Sequence, residues 1–536
     1  MSGTPGSAGE AKTWAARQYL VAVEASNRGD WQRALPVLRA LVIANPALPH
    51  VHHLLSVAAL ATGSLDEALT HSQKALALKP GDVDLLLQAA RAMSQARSPQ
   101  QALTLAHEAV PLAWNNASTC QQLSVIFARA NAYEQASRLS ARALELLPED
   151  TRNVFNHATT SLFNGDLHAA EAAYRQVLVR EPAHAPAHLG LAQLKKWTPE
   201  ENNIQRLTAS LEQTRDVAGR MYLHLALGKE CEDIGDYAGA FRHFTAGKTT
   251  GKGLLRFGTK VDQTCFDALA AFENVGSAAG YATGEPVFIV GMPRTGTTLV
   301  DRILSSHSSV QSIGEVLNFP SLVKRASGSR TPRLIDADTV RAAARIDWSV
   351  LGETYIGGTR PLTGGFPHFV DKHPHNFLYL EMIARALPQA RIVGVRRNPM
   401  DTCLSNFRQL FSPASPFHGY SFDLLETGRY FVRFHRLMQH FEHLLGERIL
   451  WIDYEDLLTD QEHQTRRLLD FCGLEWQPQC LRFELNDAPV ATASVAQVRD
   501  KLHRDALDRW RRYADELQPL MALLQAEGIG VPVRQP

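Results

Sequence analysis

The run Gly291-Met292-Pro293-Arg294-Thr295-Gly296-Thr297-Thr298 brackets an arginine between two glycines and ends in paired hydroxyls. Pro286–Val290 before it is a short apolar, β-branched run, and Leu299, Ile303 and Leu304 after it have helical spacing. Strand, glycine turn and helix start together aim backbone N–H groups and a helix N-terminus at an anion. The spacing overlays the phosphate loop GxxxxGK[ST], except that Thr297 stands where the lysine belongs. A nucleotide triphosphatase needs that lysine on its terminal phosphates and a magnesium ion on the hydroxyl. Here the loop's own cation is Arg294, which disfavours a P-loop kinase and suits a transferred group of lower charge, with no metal.

A second segment carries complementary chemistry. The apolar strand Ile392–Val395 ends in Arg396 and Arg397, and Asn398-Pro399 opens a helix. Arg397, Asp401 and Ser405 are spaced by four and four, which sets Asp401 and Ser405 on one helix face. An arginine paired with a hydroxyl is a good mount for a terminal phosphate.

Together the two segments closely resemble the PAPS-dependent sulfotransferases, whose first motif grips a 5′-phosphosulfate and whose second, RxxxDxxxS, grips the 3′-phosphate. The resemblance spans about residues 285–515, and "DKHPHNFLYL" is similar to the tetratricopeptide repeat-containing, tyrosylprotein sulfotransferase-like branch. It implies PAPS as sulfuryl donor and no metal. It implies donor binding by Arg294, Thr295, Gly296, Thr297, Thr298, Arg397 and Ser405, with Ser494 of an SxxQV segment and the basic Arg509 beside the cofactor. Lys372 is the catalytic cation it implies, acting with Arg294. Glu315, in "SIGEV", is the implied general base; His373, next to Lys372, is the rival, although consecutive strand residues point oppositely. The acceptor it implies is a hydroxyl on a protein or peptide, a glycan or a small molecule. A non-catalytic repeat adaptor with a nucleotide-binding relic domain is the alternative.

These residues need a scaffold, and the N-terminal half shows a different one. Pro46, Pro80, Pro148 and Pro182 stand on a 34-residue ladder, with Trp114 on the rung that lacks proline. Parallel ladders run Gly29, Gly63, Arg97, Asn131, Gly165 and Ala34, Ala68, Ala102, Ala136, Ala170. Glycine or asparagine suits the tight turn between two helices, alanine their close approach, and proline the end of a unit. The pattern closely resembles the tetratricopeptide repeat. It slips at Trp197–Gln213 and returns with Gly235, Asp236 and Ala240.

The expected fold is therefore an all-α repeat solenoid followed by an α/β, P-loop-like domain with a central, mostly parallel sheet. The expected organisation is a tail over 1–11, the solenoid over 12–250, a linker over 251–284, the sulfotransferase domain over 285–525 and a tail over 526–536. A solenoid groove binds peptides; a brace for the catalytic domain or a homo-oligomer is the other use of such a scaffold.

Composition sets the outer bounds. The 55 basic and 55 acidic residues cancel, so no global field favours nucleic acid or a membrane surface. The start lacks a secretory signal pattern, no apolar run is long enough to span a bilayer, and six cysteines are scattered without CxxC spacing. A cytoplasmic location is the expectation.

Overall fold

The structure is a computed structural model that describes residues 8–96, 98–260, 262–272, 279–486, 488, 502 and 507–531. Two compact units divide the chain, Met1–Thr160 and Ser161–Pro536.

In the first unit the repeat ladders become geometry. Helices Trp31–Ala44, Pro49–Ala61, Leu65–Leu78, Val83–Gln95, Pro99–Ala113, Ala117–Arg129 and Tyr133–Leu146 follow one another through short turns. The turn residues Gly29, Gly63 and Asn131 all take positive φ, the conformation in which glycine and asparagine are tolerated. The rung alanines Ala34, Ala68, Ala102 and Ala136 are completely buried, because the helices approach at those positions. Two hydroxyls two repeats apart add the same contact: Ser56 donates to the Ala68 carbonyl at 2.8 Å and Ser124 to the Ala136 carbonyl at 2.7 Å. Trp114 replaces proline by another means, since Arg142 lies over its ring at 5.5 Å and donates from Nε to its carbonyl at 3.0 Å.

The second unit begins with more repeat helices. Gly165 and Gly235 again have positive φ, and Ala170 and Ala240 are again fully buried. Where the repeat phase slips, the chain folds back on helix Val217–Asp233. The Trp197 N–H donates to Asp233 at 3.0 Å, and the Asn203 amide donates to Glu230 at 2.9 Å.

The sheet has five parallel strands: β1 (Pro286–Gly291), β2 (Val310–Ser312), β3 (His368–Asp371), β4 (Arg391–Arg396) and β5 (Ile449–Asp453), in the order β2-β3-β1-β4-β5. Every residue of β1 is buried, as its continuous apolar sequence requires of a central parallel strand. The chain leaves β1 toward β2 on one side and leaves β4 toward β5 on the other. A crevice therefore opens at the carboxyl ends of β1 and β4, where ligands of open α/β sheets bind.

One apolar core runs from Ala185, Met221 and Phe244 of the repeat helices to Phe288 of the sheet and Tyr513 near the C-terminus. Polar contacts follow the same seam. Lys248, in helix Tyr237–Gly251, donates to the Gln409 carbonyl at 2.6 Å, and Lys252 pairs with Asp423 at 2.7 Å.

Candidate active site

Close packing forces the loop after β1 into its shape. A side chain on Gly291 would come within 2.7 Å of the Val395 carbonyl, so the strand end admits only glycine. Arg294 has φ 68° and Gly296 φ 106°, and left-handed residues of this kind turn successive N–H groups toward one point. Helix Thr297–Ser305 starts there, with Thr297 and Thr298 buried in its first turn. The Thr295 hydroxyl donates to the Met292 carbonyl at 2.8 Å and so fixes the turn from inside. Tyr454 covers the loop: its ring edge lies 2.5 Å from where a Gly296 Cβ would be.

Arg397, leaving β4, donates to the Arg294 carbonyl at 3.1 Å and lies over the Tyr454 ring at 4.7 Å. Two further arginines join them. Burial first, then the guanidinium groups of Arg408 and Arg397, pull Arg294 down to about 9; Arg509 acts in the same direction. Four cations thus converge at the crevice. Arg408 ends helix Pro399–Arg408, about three turns beyond Arg397, and Arg509 opens the short turn Arg509–Tyr513. Ser405 is half-buried on the same helix, and Asp401 accepts from the Trp510 N–H at 2.9 Å, which ties the C-terminal turn to this helix. Ser494 lies outside the described residues. A cleft of about 420 Å³ adjoins the cluster; its lining includes Thr295 and Arg397 together with Phe431, Phe434 and Trp451.

At the carboxyl end of β3, the strand beside β1, the Lys372 N–H donates to the Gly314 carbonyl at 3.1 Å, and the Ile313 N–H to the Val370 carbonyl at 3.0 Å. This extension of the β2–β3 pairing brings Glu315 to Lys372, whose Nζ donates to Oε1 at 2.5 Å. Lys372 is almost wholly enclosed (1% exposed), whereas Glu315 is 39% exposed and reachable from solvent. Beneath them Asp371 accepts from Tyr355 at 2.8 Å and Asn376 at 2.9 Å, and burial pushes its carboxyl up to about 7. The His373 ring instead packs near His375 at 5.8 Å and Phe417 at 5.6 Å.

Asn406 is a site residue with no local signature. Its amide donates to the Pro293 carbonyl at 2.7 Å and the Thr402 carbonyl at 2.9 Å, and its oxygen accepts from Tyr420 at 3.0 Å. It clamps the loop to the helix that follows β4. Arg408, Tyr454 and Glu232 were likewise not singled out by the motifs. Only the basic residue at the helix end, a generic feature, could have pointed to Arg408.

The profile of the sulfotransferase family matches residues 286–478, and that of the tetratricopeptide repeat matches residues 19–83 and 155–194. An uncharacterized protein of Aquifex aeolicus is 29% identical over 388 residues, covering 69% of this chain and 49% of that protein. The chain thus spans about half the length of that relative. A Caenorhabditis briggsae protein named "Putative protein-tyrosine sulfotransferase" is 24% identical over 258 residues, covering 44% of this chain and 88% of the relative. A solved tetratricopeptide repeat protein from Parabacteroides merdae covers 44% of this chain and 93% of its own, at 17% identity and a TM-score of 0.34. Residues 286–478 are thus similar to the sulfotransferase family and residues 19–83 and 155–194 to the tetratricopeptide repeat, with the repeats first and the sulfotransferase-like segment after them.

Proposed function

We propose that the protein transfers a sulfuryl group from PAPS to an acceptor hydroxyl, and that the acceptor is a tyrosine in a peptide presented with help from the repeat groove. The observation that carries this reading is the convergence of Arg294, Arg397, Arg408 and Arg509 on a left-handed loop at a helix N-terminus. Such a cluster fits a ligand with two separated anionic groups better than a single carboxylate. The Tyr454 ring and the aromatic-lined cleft beside it suit a flat heterocycle.

Bound PAPS supplies an activated sulfuryl group and a phosphate leaving group. Arg397, Ser405 and Arg509 hold the 3′-phosphate; Thr297, Thr298 and the loop N–H groups hold the 5′ end. Glu315 accepts the proton of the acceptor hydroxyl as its oxygen attacks sulfur. Lys372 and Arg294 stabilise the negative charge that grows as the sulfur–oxygen bond to the leaving phosphate breaks. Each well-aimed donor of this type contributes about 2.7–4 kcal/mol. Because Lys372 and Glu315 hold each other at 2.5 Å, catalysis requires the ammonium to exchange the carboxylate for the donor. That exchange frees Glu315 to act as base. The tyrosine reading draws on the C. briggsae relative's name and on the habit of such repeats of binding peptides.

The test is incubation with sulfur-labelled PAPS and tyrosine-containing peptides. Label should enter the peptide, disappear when tyrosine is replaced by phenylalanine, and depend on Lys372. Label found only in glycans or small molecules overturns the acceptor. Magnesium-dependent ATP hydrolysis without label transfer overturns the reaction.

A further inference from the structure

One member of the arginine cluster is held by a carboxylate from the repeats. Arg408 Nη1 meets Glu232 Oε1 at 2.6 Å, and the two side chains are 16% and 4% exposed. Glu232 belongs to helix Val217–Asp233, far from the sheet in sequence. The Tyr513 hydroxyl donates to the same oxygen at 2.8 Å, and Tyr513 is fully buried in the turn that Arg509 opens. Ring contacts from the following repeat helix, Tyr237–Gly251, reach the other two segments: Tyr237 lies 5.4 Å from Tyr513, and Phe241 lies 6.0 Å from Phe407. Glu232 is therefore built in, with its partners fixed from two sides.

The charges make its position consequential. Guanidinium groups gathered in a buried site repel one another, and every anion brought to them relieves that repulsion. Arg408 feels both Glu232 and the cations Arg509 and Arg397; burial pushes the Glu232 carboxyl up, and Arg408, Arg509, the Tyr513 hydroxyl and Lys229 together bring it below its ordinary value. A phosphate reaching the cluster and the Glu232 carboxylate would share Arg408.

We propose that Glu232 is a positioning residue of the donor site: the repeat helix supplies a resident counter-anion that orients Arg408 and limits how tightly the cluster holds the donor's phosphates. This rests on reading the cluster as the phosphate site of the donor. The carboxylate relieves much of the cationic repulsion before any ligand binds, so a bound phosphate gains less and is released more readily. Removing the charge leaves a buried guanidinium uncompensated, and the ligand then has more to neutralise.

The experiment titrates the full-length protein with adenosine 3′,5′-bisphosphate by calorimetry, comparing wild type, Glu232→Gln and Glu232→Asp. Glu232→Gln should bind the bisphosphate about tenfold more tightly, which is about 1.4 kcal/mol. Its melting temperature without ligand should fall and should recover more than wild type when ligand is added. The gain in affinity should shrink as salt is raised. Glu232→Asp, which keeps the charge but withdraws it by one methylene, should tighten binding about threefold and serves if the glutamine variant does not fold. A merely structural role weakens binding or leaves it unchanged, and either result with a wild type that binds overturns the proposal alone. A wild type that does not bind the bisphosphate overturns the donor reading and this inference with it.

Discussion

The two ends of the candidate site handle charge in opposite ways. Lys372 is paired with Glu315 at 2.5 Å and also acts on the buried Asp301 and Asp371 carboxyls, so carboxyl groups outnumber the cation there. At the other end four arginines gather where Glu232 is the carboxylate paired with Arg408, and burial with mutual repulsion brings Arg294 down to about 9. A cation already paired must change partners to act. A cationic excess is costly to keep and is stabilised by an anion from outside. The first arrangement suits chemistry, the second suits binding.

Mutations can break that comparison. Lys372→Ala should reduce kcat by about 100- to 1000-fold while the affinity for adenosine 3′,5′-bisphosphate stays within about threefold. Glu315→Gln should follow the same split, and a Glu315→Gln enzyme with full single-turnover rates would remove Glu315 as the base. Arg397→Ala should do the reverse. The loss of a charged hydrogen-bonding group should raise the KM for PAPS by about 10- to 100-fold, with a smaller change in kcat. If both variants lost affinity and turnover in equal measure, the two ends would be one site and the distinction would fall.

A smaller effect tests the Asn406 clamp on the loop. Asn406→Ala leaves the Pro293 carbonyl and the Tyr420 hydroxyl without a buried partner, which should cost about 1–3 kcal/mol of stability, read by denaturant unfolding. The pH dependence is gentler still. Asp371 is raised to about 7 in the folded protein, so the native state binds its proton more tightly than the unfolded chain does. Its contribution is fully present below about pH 4 and is lost as pH rises through about 7, with a slope of at most about 1.4 kcal/mol per pH unit. Asp371→Asn should flatten that part of the stability profile. An unchanged profile would show that the carboxyl does not titrate there.

The helical repeats and the loop were legible in the sequence for different reasons. The repeats announce themselves by recurrence: each rung meets the same packing problem, so Ala34, Ala68, Ala102 and Ala136 solve it identically. The loop is legible because its pattern is local: two glycines, an arginine and paired threonines fall within eight residues, although the Val395 carbonyl that excludes a side chain at Gly291 is remote in sequence. The union of Arg408 with Glu232 and Tyr513 had no such signal. The residues sit on three distant segments, and the acidic run Glu230, Glu232, Asp233 at the end of a repeat helix is what a solvated face also provides. Lys372 and Glu315 lay between these cases. The family resemblance named both residues, but their distance depends on β2 and β3 pairing past their ends, which no single segment encodes.

The apolar core that joins Ala185, Met221 and Phe244 to Phe288 and Tyr513 has a consequence for how such a protein can vary. Among the described residues, no buried residue of that core lies ahead of residue 160, so a change in the number of earlier repeats removes none of its packing residues. The last helix pair differs, because Met221 and Phe244 belong to that core. An exchange of repeats between proteins of this design would have to carry helices Val217–Asp233 and Tyr237–Gly251 along with the sheet, as a single heritable block.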